Sequence, residues 1–227
     1  MHLALCPGLR VNVHQEITIN PLLALTLYRM RASAYDMELL AFESLRREAI
    51  EQLDLKPGDT VLDVGCGTGL SFERLQKIIG PEGRIVAIEQ CPEMMERALQ
   101  RVQDKGWTNV TLLPSAVADA QIPCMADAAL FIFTHDILRQ PEAIRRVLLH
   151  LKPHANVVAV GLNWAPAWDV ATNCWVMMAA LYSVTSLEGL AEPWSLLAEQ
   201  AGALEIQQTG GLYTAVKRGI AVQSGGV

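Results

Sequence analysis

A short β-branched run, Thr60-Val61-Leu62-Asp63-Val64, stops on three glycines at alternate positions, Gly65, Gly67 and Gly69. That pattern predicts a buried strand feeding a tight turn. Leu70, Phe72, Leu75, Ile78 and Ile79 then recur at roughly helical spacing, Gly80-Pro81-Glu82-Gly83 breaks the chain, and a second apolar run, Ile85-Val86-Ala87-Ile88, ends on Glu89. The prediction is one β-α-β unit that closes on an acid.

The glycines have a physical use beyond turning. Without Cβ atoms at 65, 67 and 69 the backbone can lie against a ligand at the N-terminus of the helix that follows. Glu89 falls 20 residues after Gly69, where the next strand's end places a carboxylate able to accept hydrogen bonds from both hydroxyls of a ribose. A nucleoside site is therefore expected. Dinucleotide sites usually show G-x-G-x-x-G, whereas here the spacing is Gly65-x-Gly67-x-Gly69. A βα turn of a nicotinamide or flavin fold is the alternative.

Val61-Leu62-Asp63-Val64-Gly65-Cys66-Gly67-Thr68-Gly69 closely resembles the first motif of class I S-adenosylmethionine-dependent methyltransferases. The resemblance implies a Rossmann-like α/β fold: seven strands in the order 3-2-1-4-5-7-6, the last strand antiparallel, with helices on both faces. It implies S-adenosyl-L-methionine as cofactor, held by Asp63, Gly65, Cys66, Gly67, Thr68, Gly69 and Glu89, with Gln90 placed to meet the adenine. Tyr28 to Asp36 resembles the segment preceding the core in small-molecule members, quinone-biosynthesis enzymes included, where it folds over the methionine part. Tyr28 and Tyr35 are thus cofactor candidates, against the alternative of ordinary half-buried helix residues.

A departure from the family pattern lies after the third strand, Val110-Thr-Leu-Leu113. The family usually has an acid there for the adenine amino group, and Pro114-Ser115-Ala116-Val117 has none before Asp119. Ser115 with backbone around Ala116 is expected to take that role, with Asp119 the alternative. Asp127 to Phe133 is the fourth strand, and Thr134-His135-Asp136 falls at its C-terminal end, where ligands bind in open sheets. Resemblance puts these three beside sulfonium and substrate. His135 is the candidate general base, since an ordinary imidazole titrates near 6.5, and Asp136 is grouped with it. The alternative is that Asp136 caps the next helix and His135 packs or touches cofactor.

The rest of the chain divides into an N-terminal helical arm or lid (1–55), a cofactor core (56–161), an insertion (162–200) and a C-terminal hairpin (201–218), all one domain. A stripe through Leu39, Leu40, Phe42, Leu45, Ile50 and Leu53 predicts helix across 21–55. Pro141 to Leu151 is predicted helical, 152–156 a turn, and Val157 to Gly161 the fifth strand. The insertion carries four of the five tryptophans, Trp164, Trp168, Trp175 and Trp194, with Met177, Met178 and Tyr182. Family members commonly cover their substrate here, so an apolar or planar pocket is expected; a helix packed on the sheet, or at a homodimer interface, is the alternative.

Net charge is −6 and pI about 5.4, which gives no overall basic field for nucleic acid. The five cysteines show no C-x-x-C pair or zinc spacing, so reduced thiols in a cytoplasmic protein and no metal are expected. The apolar run from Cys174 to Val184 is far short of a membrane span, and the N-terminal residues are too short an apolar run for a signal segment. The expected activity is methyl transfer to a small, apolar or aromatic metabolite. Alternatives are a non-methyl use of the cofactor, such as aminocarboxypropyl transfer or cyclisation, and a non-catalytic cofactor-binding protein.

Overall fold

The structure is a computed structural model that describes residues 42–183 and 186–220, save the side chains of 182 and 183. Its seven strands are β1 (Thr60–Val64), β2 (Arg84–Ile88), β3 (Val110–Leu113), β4 (Ala126–Ile132), β5 (Leu151–Leu162), β6 (Glu205–Thr209) and β7 (Leu212–Lys217). They form one sheet in the order β3-β2-β1-β4-β5-β7-β6, as expected. β1 to β5 are parallel, and β7 runs antiparallel to both its neighbours.

Helices lie on both faces because the central strands are apolar on both. Leu62, Val64, Ala129, Phe131, Val157 and Ala159 point to one side, where α4 (His135–Leu138), α5 (Pro141–Leu148) and α7 (Ser195–Ala201) bury Leu138, Ile144, Val147 and Leu197 against them. Val61, Ile85, Leu130, Val158 and Val160 point to the other, beneath α1 (Glu43–Glu51), α2 (Phe72–Ile79) and α3 (Pro92–Lys105). Each such Leu, Ile or Val contributes roughly 1.5–3 kcal/mol by leaving water. A third, smaller cluster sits past the end of β5, where Val176 and Ala180 of α6 (Val170–Ser183) meet Leu162 and Leu190.

Two local expectations are corrected. The α5 helix ends at Leu148, and Leu151 already pairs with Ala126 of β4. The predicted turn at 152–156 is therefore a bulge inside β5: the register next resumes at Asn156 opposite Ala128, and His154 takes φ 68° with its N–H donating to the Ile220 carbonyl. The Gly210-Gly211 turn does join β6 and β7, with φ 57° and 81°. Of the predicted N-terminal helix only α1 falls among the described residues.

Candidate active site

Parallel strands ending at one level create the site. Val64 is opposite Ile88, and the N–H groups of Gly65 and Cys66 both donate to the Ile88 carbonyl at 2.8 and 3.0 Å. This locks the turn after β1 against the end of β2. Gly65 has φ 69°, and a Cβ there would stand 2.7 Å from Thr134 Cγ2 and 2.8 Å from Ile137 Cδ1. Only glycine permits the loop to lie under the β4–α4 junction.

From that junction an open cleft runs along the strand ends. Gly65, Gly67, Glu89, Gln90, Ser115 and Thr134 supply its polar walls, and Ile88, Cys91, Met94, Val117 and Ile137 its apolar ones. The Glu89 carboxylate is held on both oxygens: Oε2 accepts from the Gly67 N–H at 3.0 Å and Oε1 from the Cys91 N–H at 2.7 Å. Each oxygen keeps a further lone pair for a ligand hydroxyl. Burial raises the Glu89 pKa, and those backbone donors oppose it.

Beyond the glycine loop lies a smaller recess bounded by Arg46, Asp63, Cys66, Thr68, Ser71 and Phe133. Asp63 is 2% exposed, and its Oδ2 has no hydrogen-bond partner. Burial pushes this carboxyl up to about 7; Arg46 pulls it down and Glu89 pushes it up further. Burial, with the Asp63 and Glu89 carboxylates nearby, pushes the Cys66 thiol well above its ordinary range, so Cys66 fills the turn and is no nucleophile.

Other expected residues are distributed as follows. Ser115 lines the cleft with a buried Oγ that has no partner, while Ala116 and Asp119 are not among the lining residues. Thr134 lines it as well, 8% exposed, with Oγ1 also unpartnered. Asp136 lines the cleft from the first turn of α4, which begins at His135. His135 itself does not: it is 7% exposed, with Nε2 2.9 Å from the Glu188 carbonyl. Tyr28, Tyr35 and the Tyr182 side chain lie outside the described residues.

The aromatics of the insertion divide. Trp194 is buried against Tyr213, ring centroids 5.0 Å apart, and belongs to the sheet core. Trp175 is 41% exposed and stacks obliquely toward Phe42, which meets Phe133 edge-on at 4.9 Å. Phe133 borders both the cleft and the recess. It adopts φ 54°, a conformation a bulky residue rarely takes, at the end of β4. Trp168 and Met178 are well exposed.

Two residues escaped the sequence reading. Arg46 is 3% exposed beside Asp63 and donates to Glu43. Its signal was present: position 46 lies on the stripe through Phe42, Ala49, Ile50 and Leu53, and a charge on an apolar stripe needs a partner. Asn163, 2% exposed past β5, donates to the Trp164 carbonyl and leaves Oδ1 unpartnered; nothing in the sequence marks it.

These residues fit an adenosyl ligand. The unpartnered buried atoms Ser115 Oγ, Asp63 Oδ2 and Thr134 Oγ1, with the held carboxylate of Glu89, are groups whose burial is costly unless a ligand satisfies them.

The model of the protein-L-isoaspartate(D-aspartate) O-methyltransferase family matches residues 34–121. A protein-L-isoaspartate O-methyltransferase of Ignicoccus hospitalis is 38% identical over 101 residues, 44% of this chain and 46% of that protein. The chain thus spans less than half the length of that curated relative. Among solved structures, an S-adenosylmethionine-dependent methyltransferase from Aquifex aeolicus superposes with TM-score 0.54 at 23% identity, covering 78% of this chain and 89% of its own. The N-methyltransferase NodS from Bradyrhizobium japonicum, in complex with S-adenosyl-L-homocysteine, gives TM-score 0.54 at 18% identity over 78% and 86%. The quinone-biosynthesis group does not figure in these likenesses. The chain has the class I S-adenosylmethionine-dependent methyltransferase fold, and S-adenosylmethionine is the cofactor that its glycine turn and Glu89 are suited to seat.

Proposed function

We propose that this protein transfers the methyl group of S-adenosylmethionine to a small, uncharged, apolar or aromatic acceptor. One observation carries the donor side: a carboxylate, Glu89, fixed by backbone N–H groups of Gly67 and Cys91 at the end of β2, beside the glycine turn on the wall of the cleft. Ribose hydroxyls donate to Glu89; Ser115 and Gln90 meet the adenine edge between Ile88, Met94 and Val117. Asp63 takes the ammonium of the methionyl end, and Arg46 its carboxylate. When bound, the cofactor's sulfonium supplies an electrophilic methyl group, so the protein's task is alignment and exclusion of water.

The acceptor reading rests on the other wall. Ile132, Phe133 and Ile137 border the cleft, and Phe42 and Trp175 extend the apolar surface outward from Phe133. The charged residues among those described as lining this cleft are Glu89 and Asp136, both acids. That lining repels a carboxylate acceptor and suits a neutral ring. We place the acceptor over Phe133.

A second reading, methylation of an isoaspartyl carboxyl in proteins or peptides, is favoured by the family match. The matched residues end at 121, before β4 and the insertion, so they bear on the donor half. Incubation with S-adenosylmethionine and either an isoaspartyl peptide or a panel of phenols, thiols and aromatic amines separates the two. S-adenosylhomocysteine released only with the peptide overturns the apolar reading. Methylthioadenosine in its place points to aminocarboxypropyl transfer, and binding with no product from any acceptor points to a non-catalytic role.

A further inference from the structure

His135 stands at the end of β4, yet its ring is turned away from the cleft that Thr134 and Asp136 line. Its Nε2 is 2.9 Å from the carbonyl of Glu188, 53 positions along the chain. A carbonyl only accepts, so Nε2 carries the hydrogen and Nδ1 holds the lone pair. That Nδ1 is buried without a partner.

The same segment is gripped twice more. Arg139, one helical turn on from His135, pairs with the Glu188 carboxylate at 2.8 Å. Its guanidinium lies so close to Gly189 that a Cβ there would be 2.0 Å from Nη1, and Gly189 has φ 75°. Leu190 is wholly buried with Leu162, Val176 and Ala180, and its carbonyl accepts from the Trp164 N–H at 2.9 Å. Three successive residues therefore join α4 to the end of β5 and to α6.

We propose that His135 is a positioning residue, a strut that fastens residues 186–190 of the acceptor-side insertion to the wall of the cleft. The consequence is mechanical. Phe133, which borders the cleft, packs in the same cluster as Leu190, so the strut fixes where α6 and Trp175 stand relative to the cofactor wall. A base would need its lone pair in the cleft; this one has its N–H committed to a loop. Burial pulls the imidazole below its usual value, with the Glu188 carbonyl, the Ser186 backbone and Asp136 opposing and Arg139 adding to the fall. The neutral ring is what the strut requires. The inference deepens the proposed site and rests on that cleft being the donor pocket.

The test compares His135→Ala with His135→Gln in the full chain. A glutamine amide N–H can replace the donor to Glu188, whereas alanine cannot. Amide hydrogen exchange of residues 186–190 is expected to quicken about five- to tenfold in the alanine variant, the worth of one net hydrogen bond, and to stay near wild type in the glutamine variant. S-adenosylhomocysteine affinity by calorimetry is expected to hold within about twofold in both. Nitrogen NMR of the wild-type histidine should show the neutral form protonated at Nε2, with titration below that of an ordinary imidazole. That measurement needs no variant and so survives a failure of either to fold. Unchanged exchange in the alanine variant, or a histidine titrating normally with the proton at Nδ1, overturns the strut. Absence of S-adenosylhomocysteine binding by the wild type sinks the cofactor reading and leaves the exchange result standing.

Discussion

The proposed donor and acceptor halves of this cleft are built by different means. On the donor side, the ends of β1 and β2 bring Gly65, Gly67 and Glu89 together through one β-α-β unit, and the contacts are backbone turns and a carboxylate. On the acceptor side, Phe42, Phe133, Trp175 and Glu188 come from four separate stretches of chain. A local unit writes its geometry into adjacent residues; a surface assembled from distant segments writes it nowhere in particular. Breaking each half should therefore have different consequences, and the sizes of the effects order the tests.

The largest effect falls inside the acceptor half and should have nothing to do with the acceptor. Trp194 is 7% exposed against Tyr213 and Leu197, so Trp194→Ala is expected to remove about 3–5 kcal/mol of stability, read by chemical denaturation. Trp175, 41% exposed, should cost less than about 1 kcal/mol when changed to alanine. Equal losses would mean that the division between core and cleft aromatics is misdrawn.

On the donor side, Gly67→Asp combines a backbone at φ 56° with a new charge beside Glu89, whose Oε2 the Gly67 N–H serves. S-adenosylhomocysteine affinity should fall by about 100-fold or more, close to 3 kcal/mol, with the fold intact by circular dichroism. Glu89→Ala should weaken it by about 1–3 kcal/mol through loss of charge-assisted hydrogen bonds. Calorimetry checks both, and unchanged binding in either would move the nucleoside out of the cleft.

The same contrast governs what the sequence could reveal. Glycines at positive φ, a buried strand and a carboxylate at the next strand's end are legible because each is dictated by backbone geometry within 30 residues, Thr60 to Glu89. The sheet order came from resemblance, since periodicity alone fixes strands and not their neighbours. Ser115 is legible as a polar residue where the family pattern has an acid, and the structure puts its unpartnered Oγ on the cleft wall. His135 was placed correctly at the strand end, but the direction of its ring depends on Glu188, and no pattern in residues 130–140 contains that. Arg46 was visible only as a charge on an apolar stripe. Trp194 and Trp175 look alike in sequence because both are tryptophans in one insertion; packing against Tyr213 decides between them.

The smallest expected effect is the sharpest probe of the donor side, because it separates the methionyl end from the nucleoside end. Asp63 holds its proton up to about 7 in the folded chain, against the usual 3.8. A raised value means that the folded state binds a proton the unfolded state has released. The stability from this group is therefore complete below about 4 and lost as pH rises through about 7. A ligand ammonium reverses the preference, since it pairs with the ionised carboxylate. S-adenosylhomocysteine should then bind up to about tenfold more tightly at about pH 8 than at about pH 6. Asp63→Asn cannot ionise, so its affinity should be weaker at the higher pH and lack that slope, while Glu89→Ala should keep a slope, moved to lower pH because Glu89 no longer raises the Asp63 carboxyl, at a lower affinity. If the asparagine variant titrates like wild type, the ammonium does not lie on Asp63, and Arg46 holds that carboxylate for structure alone.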